Sequence, residues 1–173
     1  MVLAQAATSS TGKPAAISVR EQAQAAAVKV AVSLSDPAIV EYFKEGILEI
    51  LGNGVDVIFC NQAEAMALSE SKTLEEAAQS LKKFTKTFAI TRGNEPTWVF
   101  DGEQDYHVHT QPVKAIDTNG AGDMFAGAFL AAIDQGKNYT DAAAFANRCA
   151  AVVVSQFGPR LKDNQYAELK AQI

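Results

Sequence analysis

The segment Asp117-Thr-Asn-Gly-Ala-Gly-Asp123, directly ahead of an apolar helical stretch, holds the residue types best suited to chemistry in this chain. Small residues at Gly120, Ala121 and Gly122 let backbone amides converge at a helix start. Unpaired N–H groups and the positive end of the helix dipole attract an anion there. Asp123, in the first turn, faces the same point. A carboxylate beside an anion hole is ill suited to storing phosphate. It is productive where it takes a proton from an alcohol while the amides steady the phosphoryl group under attack. The plain alternative is a first-turn acid favoured by the dipole, with glycines for close helix packing; on GAGD alone the two readings stand level.

Ligands of open α/β sheets bind beyond the carboxyl ends of the strands. Asp36, the Asn61-Gln-Ala-Glu64 turn and Thr91-Arg-Gly93 stand at such ends. Other templates fail. A dinucleotide fingerprint starting at Gly120 needs a third glycine where Phe125 stands, and Thr11-Gly-Lys-Pro14 lacks the leading glycine and hydroxyl of a P-loop. There is no nucleophile elbow, zinc-protease helix or CxxC. His107 and His109 alternate on one strand face, and without a third ligand they read as a solvated face.

The elements that must carry these groups follow from pattern. Residues 1–17 read as a loose leader. Ser18-Val-Arg-Glu21 has capping-box spacing for a helix to Val28, and Lys29–Leu34 is a β-branched strand. Asp36-Pro37 opens a helix whose apolar face is Ile39, Val40, Phe43, Ile47, Leu48 and Leu51, stopped by Gly52-Asn53-Gly54. Val55–Cys60 is a strand, 61–68 a helix, and Thr73-Leu-Glu-Glu76 a second capping box for a helix to Thr85. Phe88–Thr91 is a strand, and Thr97–Phe100 with Tyr106–His109 forms a hairpin. Helices over 120–133 and 140–156 end the pattern at Gly158-Pro159. Alternating helices and buried strands predict an α/β fold with a mainly parallel sheet flanked by helices.

Composition narrows the function classes. The chain has 173 residues, 48% hydrophobic and 20% charged, with a formal charge of −5. That excludes global disorder, and an acidic balance lacks the footprint of a nucleic-acid binder. Cys60 and Cys149 cannot build a disulfide framework, and no apolar run has membrane-spanning length. The expectation is a cytoplasmic protein with neither nucleic-acid nor membrane partners.

Asp117-Thr-Asn-Gly-Ala-Gly-Asp-Met-Phe125 resembles the C-terminal signature of the PfkB, or ribokinase-like, carbohydrate and nucleoside kinases. Asn61-Gln-Ala-Glu64 matches that family's N-x-x-E motif after a strand, and Thr91-Arg-Gly93 resembles its T-x-G segment. The stretch from Ala144 to Gly158 is similar to the helix that borders the nucleotide. The Asp36-Pro37 turn and the N-x-x-E wording resemble the adenosine-kinase-like subgroup most. The resemblance implies ATP-dependent phosphorylation of a sugar or nucleoside alcohol with Mg²⁺. It makes Asp123 the catalytic base and Gly120, Ala121 and Gly122 the anion hole. Asn61, Thr91, Gly93 and Asn147 become nucleotide-site residues, and Glu64 acts on Mg²⁺ through its water shell. Asp117 and Asn119 resemble a monovalent-cation site. Each assignment has a bland counterpart: Glu64 a helix-surface acid, Asn147 a polar position on a half-buried helix, Arg92 a solvated strand end.

Two departures stand out. Pro96 occupies a position where the family often has a glycine. Members are also nearly twice as long, and the half carrying the first strands, the lid and the sugar grip has no counterpart here. Residues 2–17 resemble the strand-to-helix join midway through such a kinase, so residues 1–17 are a leader or the remnant of that join, and residues 18–173 read as the C-terminal, ATP-carrying part of a ribokinase-like domain. The Lys29–Leu34 strand becomes an uncovered sheet edge that invites self-association. The rival class is a non-catalytic nucleotide-binding or oligomerisation module; an α/β hydrolase-type enzyme lacks its nucleophile motif.

Overall fold

The computed structural model describes residues 2–173 and divides into two units, one of residues up to Ile90 with Phe100–Glu103, the other of Thr91–Val99 with Gln104–Ile173. In the first unit β1 (Val2–Leu3), β2 (Ala31–Ser33), β3 (Val55–Asn61) and β4 (Thr85–Arg92, which crosses out of the unit after Ile90) lie in chain order. β1 pairs in parallel with β2 (Val2 opposite Val32), and β2 with β3 (Val32 opposite Ile58). The helices are α1 (Gly12–Ala25), α2 (Pro37–Tyr42), α3 (Lys44–Leu51), α4 (Gln62–Ser69) and α5 (Leu74–Leu81). Val57 through Cys60 are buried in succession, the pattern of a parallel strand covered on both faces. Val32, Leu34, Ile47, Ile50, Leu51, Ile58, Leu81, Phe88 and Ile90 form the core around them.

The second unit holds β5 (Glu95–Phe100, whose last residue counts with the first unit), β6 (Asp105–Val108), α6 (Ala121–Asp134), α7 (Tyr139–Val154) and α8 (Asp163–Lys170). A Gly93-Asn94 turn reverses the chain from Arg92 to Glu95, with Gly93 at φ +63°. α6 and α7 pack against each other, and Ala126, Ala128 and Ala132 of the one and Ala142, Ala143 and Ala146 of the other are all buried. Phe125 stacks on Phe129 at a centroid separation of 6.0 Å, and Phe129 meets Tyr139 edge to face at 5.6 Å. No helix among the described residues is long and apolar enough to cross a membrane.

The fold is the expected α/β type, with differences in detail. Residues 4–8 form a 3-10 turn, and α1 begins at Gly12, six residues before the predicted Ser18 cap. Ser18 instead sits mid-helix and accepts from Gln22 Nε2 at 2.9 Å. Small apolar side chains, Ala4 and Ala16, supply the burial that large ones usually provide. β2 is not an edge strand, because β1 covers it. The helix expected over Pro37–Leu51 bends at Phe43 (φ −121°) into α2 and α3. α8 was not expected: of its eight residues only Leu169 is buried, so no apolar period marks it.

Candidate active site

In the first unit the carboxyl ends of β2 and β3 each lead into a capped helix. Asp36 caps α2 through Oδ1, which accepts from the amides of Ala38 (2.8 Å) and Ile39 (3.3 Å). Asn61 caps α4: its Oδ1 accepts from the Glu64 amide at 2.9 Å. Glu64 answers with both oxygens, Oε2 taking the Asn61 amide at 2.9 Å and Oε1 the Asn61 Nδ2 at 2.7 Å. This is a closed capping box. Glu64 is only 4% exposed. Burial raises its pKa, the Asn61 amide opposes that, and the Asp36 charge adds to the rise. Cys60, one residue before the cap, is buried with its thiol pushed up first by desolvation and then by Glu64, which suits an inert packing residue.

The second unit holds the other predicted residues. Gly120 caps α6 at φ +76° with no side-chain bond. The Ala121 amide reaches Thr118 O at 3.3 Å and the Met124 amide Gly120 O at 2.9 Å. Between them, the amides of Gly122 and Asp123 have no acceptor among the described residues. A Cβ on Gly122 would meet nothing within 4 Å, so the helix surface at that residue is uncovered. The Asp123 carboxylate is exposed and likewise has no partner among the described residues. Two amides without acceptors and an unpartnered carboxylate at one helix start are what phosphate binding beside a base requires.

Gly120 is glycine for a further reason. A Cβ there would lie 2.5 Å from Pro159 Cβ and 2.9 Å from Pro159 O, in addition to the positive φ. Asp117 Oδ1 accepts from the Asn119 amide and Oδ2 from the Gly158 amide, each at 3.0 Å. These two bonds, the Asn119 one first, lower its pKa. Thr91 and Arg92 end β4, half-buried, and Gly93 stands in the turn with open space at its Cβ position. Asn147, 8% exposed, is committed inside the unit: Oδ1 accepts from Thr97 Oγ1 at 2.8 Å, and Nδ2 points to the carbonyls of Val108 and His109 at 3.4 Å. His107 is exposed and packs on Trp98 at a centroid separation of 5.0 Å. Among the described residues no three His, Cys, Asp or Glu side chains could hold a metal ion together.

The structure thus joins Asn61 with Glu64 in one unit, and Gly120, Ala121, Gly122 and Asp123 at one helix start in the other. Reasoning from sequence missed Thr97, Gly158 and Pro159 as partners. Their only local signals are a hydroxyl inside an apolar strand and the Gly-Pro break after α7.

The fold and this helix start define an α/β chain of the ribokinase fold. An adenosine kinase from Sinorhizobium meliloti superposes with a TM-score of 0.84 at 31% identity, over 92% of this chain and 50% of that one. An E. coli protein assigned as a ribokinase II and solved with ATP and Mg²⁺ superposes at 0.84 with 21% identity, over 99% of this chain and 57% of that one. Residues 3–165 match the model of the pfkB family carbohydrate kinases, and the chain belongs to that family. It is 32% identical over 154 residues to a ribokinase of Staphylococcus aureus, covering 84% of this chain and 48% of that protein. The chain spans about half the length of the curated relatives it matches.

Proposed function

We propose that this chain supplies the ATP-binding and phosphoryl-transfer half of an ATP-dependent kinase acting on an alcohol of a sugar or nucleoside. The observation that carries the reading is the start of α6, where the amides of Gly122 and Asp123 are open beside the unpartnered Asp123 carboxylate. Asp123 takes the proton of the attacking hydroxyl. The α6 amides and dipole hold the negative charge of the group being transferred, in a geometry already set before the substrate arrives. ATP, when bound, provides the phosphoryl group. Thr91 and Gly93 line the nucleotide from the β4 turn, and Asn147 supports that side from α7 by holding it to Thr97 and to the strand carbonyls.

For Mg²⁺ the fit is limited. Both Glu64 oxygens are engaged by Asn61 and the group is buried, so Glu64 can meet a cation only through water, and no step is drawn through it. The Asp117 carboxylate accepts from the amides of Asn119 and Gly158, so no step is drawn through a monovalent cation either.

A second reading for residues 1–173 is a nucleotide-binding module that transfers nothing. Calorimetry with ATP and Mg²⁺, paired with a labelled-phosphate transfer screen over adenosine, ribose and fructose, separates the two. Binding with transfer supports the kinase. Binding without transfer leaves the module, and no binding removes both. Self-association belongs to the same proposal, now through β1, which ends the strand order of its unit. A monomer at every concentration in sedimentation velocity would remove it.

A further inference from the structure

The chain holds two Asn-Gly pairs, Asn53-Gly54 after α3 and Asn119-Gly120 ahead of α6, and both asparagines are exposed. Asn-Gly is the dipeptide most prone to cyclise, because no Cβ on the glycine shields its nitrogen from the asparagine side chain. Exposure does not separate the two pairs; the bonding of the glycine amide does. The Gly54 amide donates to Leu51 O at 3.0 Å, and the Gly54 carbonyl accepts from Gln24 Nε2 at 2.8 Å. Gly120 differs. The turn over residues 118–121 closes through the Ala121 amide on Thr118 O at 3.3 Å, and Asp117 Oδ1 takes the Asn119 amide at 3.0 Å. The Gly120 amide between them has no acceptor among the described residues.

We propose that Asn119 is a modification site: its side chain cyclises onto the Gly120 nitrogen, and opening of the ring leaves aspartate or isoaspartate in the loop that enters α6. The Gly120 nitrogen gives its proton to water and bonds to Asn119 Cγ. The Cγ–Nδ2 bond breaks, and Nδ2 takes one proton from water and departs as ammonia. Water then opens the succinimide at Cγ, giving aspartate, or at the main-chain carbonyl, giving isoaspartate. In isoaspartate the main chain runs through Cβ and Cγ and is one methylene longer. Nothing is oxidised or reduced. The consequence for α6 rests on the reading of its start as the phosphate site. Either product sets a new negative charge beside the end of the dipole that would hold phosphate, and competes with it. Isoaspartate also shifts Gly120, which has no slack: a Cβ built there would lie 2.5 Å from Pro159 Cβ. Age thus erodes the site.

The test incubates the folded protein in mildly alkaline buffer and follows both asparagines by peptide mapping in one sample, with a second sample in urea. In the folded protein, conversion at Asn119 is expected to run about threefold to tenfold faster than at Asn53, because the Gly54 amide must first give up its bond to Leu51 O. In urea that bond is gone and the two rates converge. Equal rates in the folded protein, or a faster Asn53, overturn the proposal. So does a lead at Asn119 that persists undiminished in urea, since the fold is then not its cause. Titration with tripolyphosphate reads the consequence. Wild-type affinity is expected to fall about tenfold as Asn119 converts, as misplaced donors require. Asn119→Gln, whose longer side chain closes a ring far more slowly, should hold its own fresh affinity over the same incubation. Affinity that survives full conversion overturns the link to α6. If fresh wild type does not bind tripolyphosphate, the phosphate-site reading fails, while peptide mapping still decides the modification.

Discussion

The starts of α4 and α6 are built from similar materials and end in opposite states. Each has a small polar or glycine cap, a first-turn acid and amides that need acceptors. At α4 the Asn61 side chain and the Glu64 carboxylate consume one another, and the acid is buried. At α6 the cap is Gly120, which has no side chain to offer, and the acid Asp123 stays exposed and unpartnered. Asp117, the acid that precedes this cap, accepts from the amides of Asn119 and Gly158. A helix start that satisfies itself is structure; one that its neighbours hold open is available to a ligand. The presence of an acid does not distinguish the two. The bonding of the acid does.

The sharpest way to break this contrast is at Asp123. In a full-length enzyme Asp123→Asn is expected to lower kcat about 10²–10⁴-fold with ATP affinity nearly unchanged, as removal of a general base does. Unchanged turnover in steady-state kinetics would make the α6 acid as structural as the α4 acid. At α4 the expected effect is on folding. Asn61→Ala removes the cap and strips a partner from buried Glu64, costing about 1–3 kcal/mol by urea denaturation. A smaller loss would mean the box is open in solution.

Thr97→Val tests whether Asn147 belongs to the framework. It leaves a buried amide oxygen without its donor, at about 1–3 kcal/mol. Tripolyphosphate affinity should stay unchanged, because the α6 amides are untouched. A change in that affinity, read by calorimetry, would tie Thr97 to the proposed phosphate site.

The smallest effect is the pH dependence, where the two regions should slope in opposite directions. Glu64 has a raised pKa, so the folded state holds its proton more tightly than the unfolded state. Its contribution is full below the ordinary carboxylate range and is lost as pH rises through the folded value. Asp117 has a lowered pKa, so its contribution is present above the ordinary range and is lost as pH falls through the folded value. Regional hydrogen exchange between pH 3 and 7, corrected for intrinsic rates, should show acid loosening Gly158 and not the α4 start. Parallel slopes in the two regions would dissolve the distinction.

Much of this was legible before any coordinates, and the legible parts share a property. Asn61 and Glu64 are three residues apart, and Gly120 to Asp123 occupy one helical turn, so spacing alone places their groups. The strands around Val57–Cys60 are written as an unbroken apolar run for the same local reason. α1 was misplaced because alanine burial does not look like burial in a sequence, and α8 was missed because it buries a single side chain. The resemblance makes Glu64 a partner of Mg²⁺ through its water shell, and the structure adds that both its oxygens engage its own cap.

By itself, then, the sequence determined the family, the α/β order and the helix start that carries Asp123. Only tertiary structure decided that β1 covers β2, that Asn147 is held by Thr97, and that Asp117 and Gly120 are held by Gly158 and Pro159. The physical reason is the range of the interactions. Capping and periodicity act within a turn or two and leave a fixed spacing behind. A bond between residues 41 or 50 positions apart depends on how the whole chain closes, and no spacing in the sequence records it.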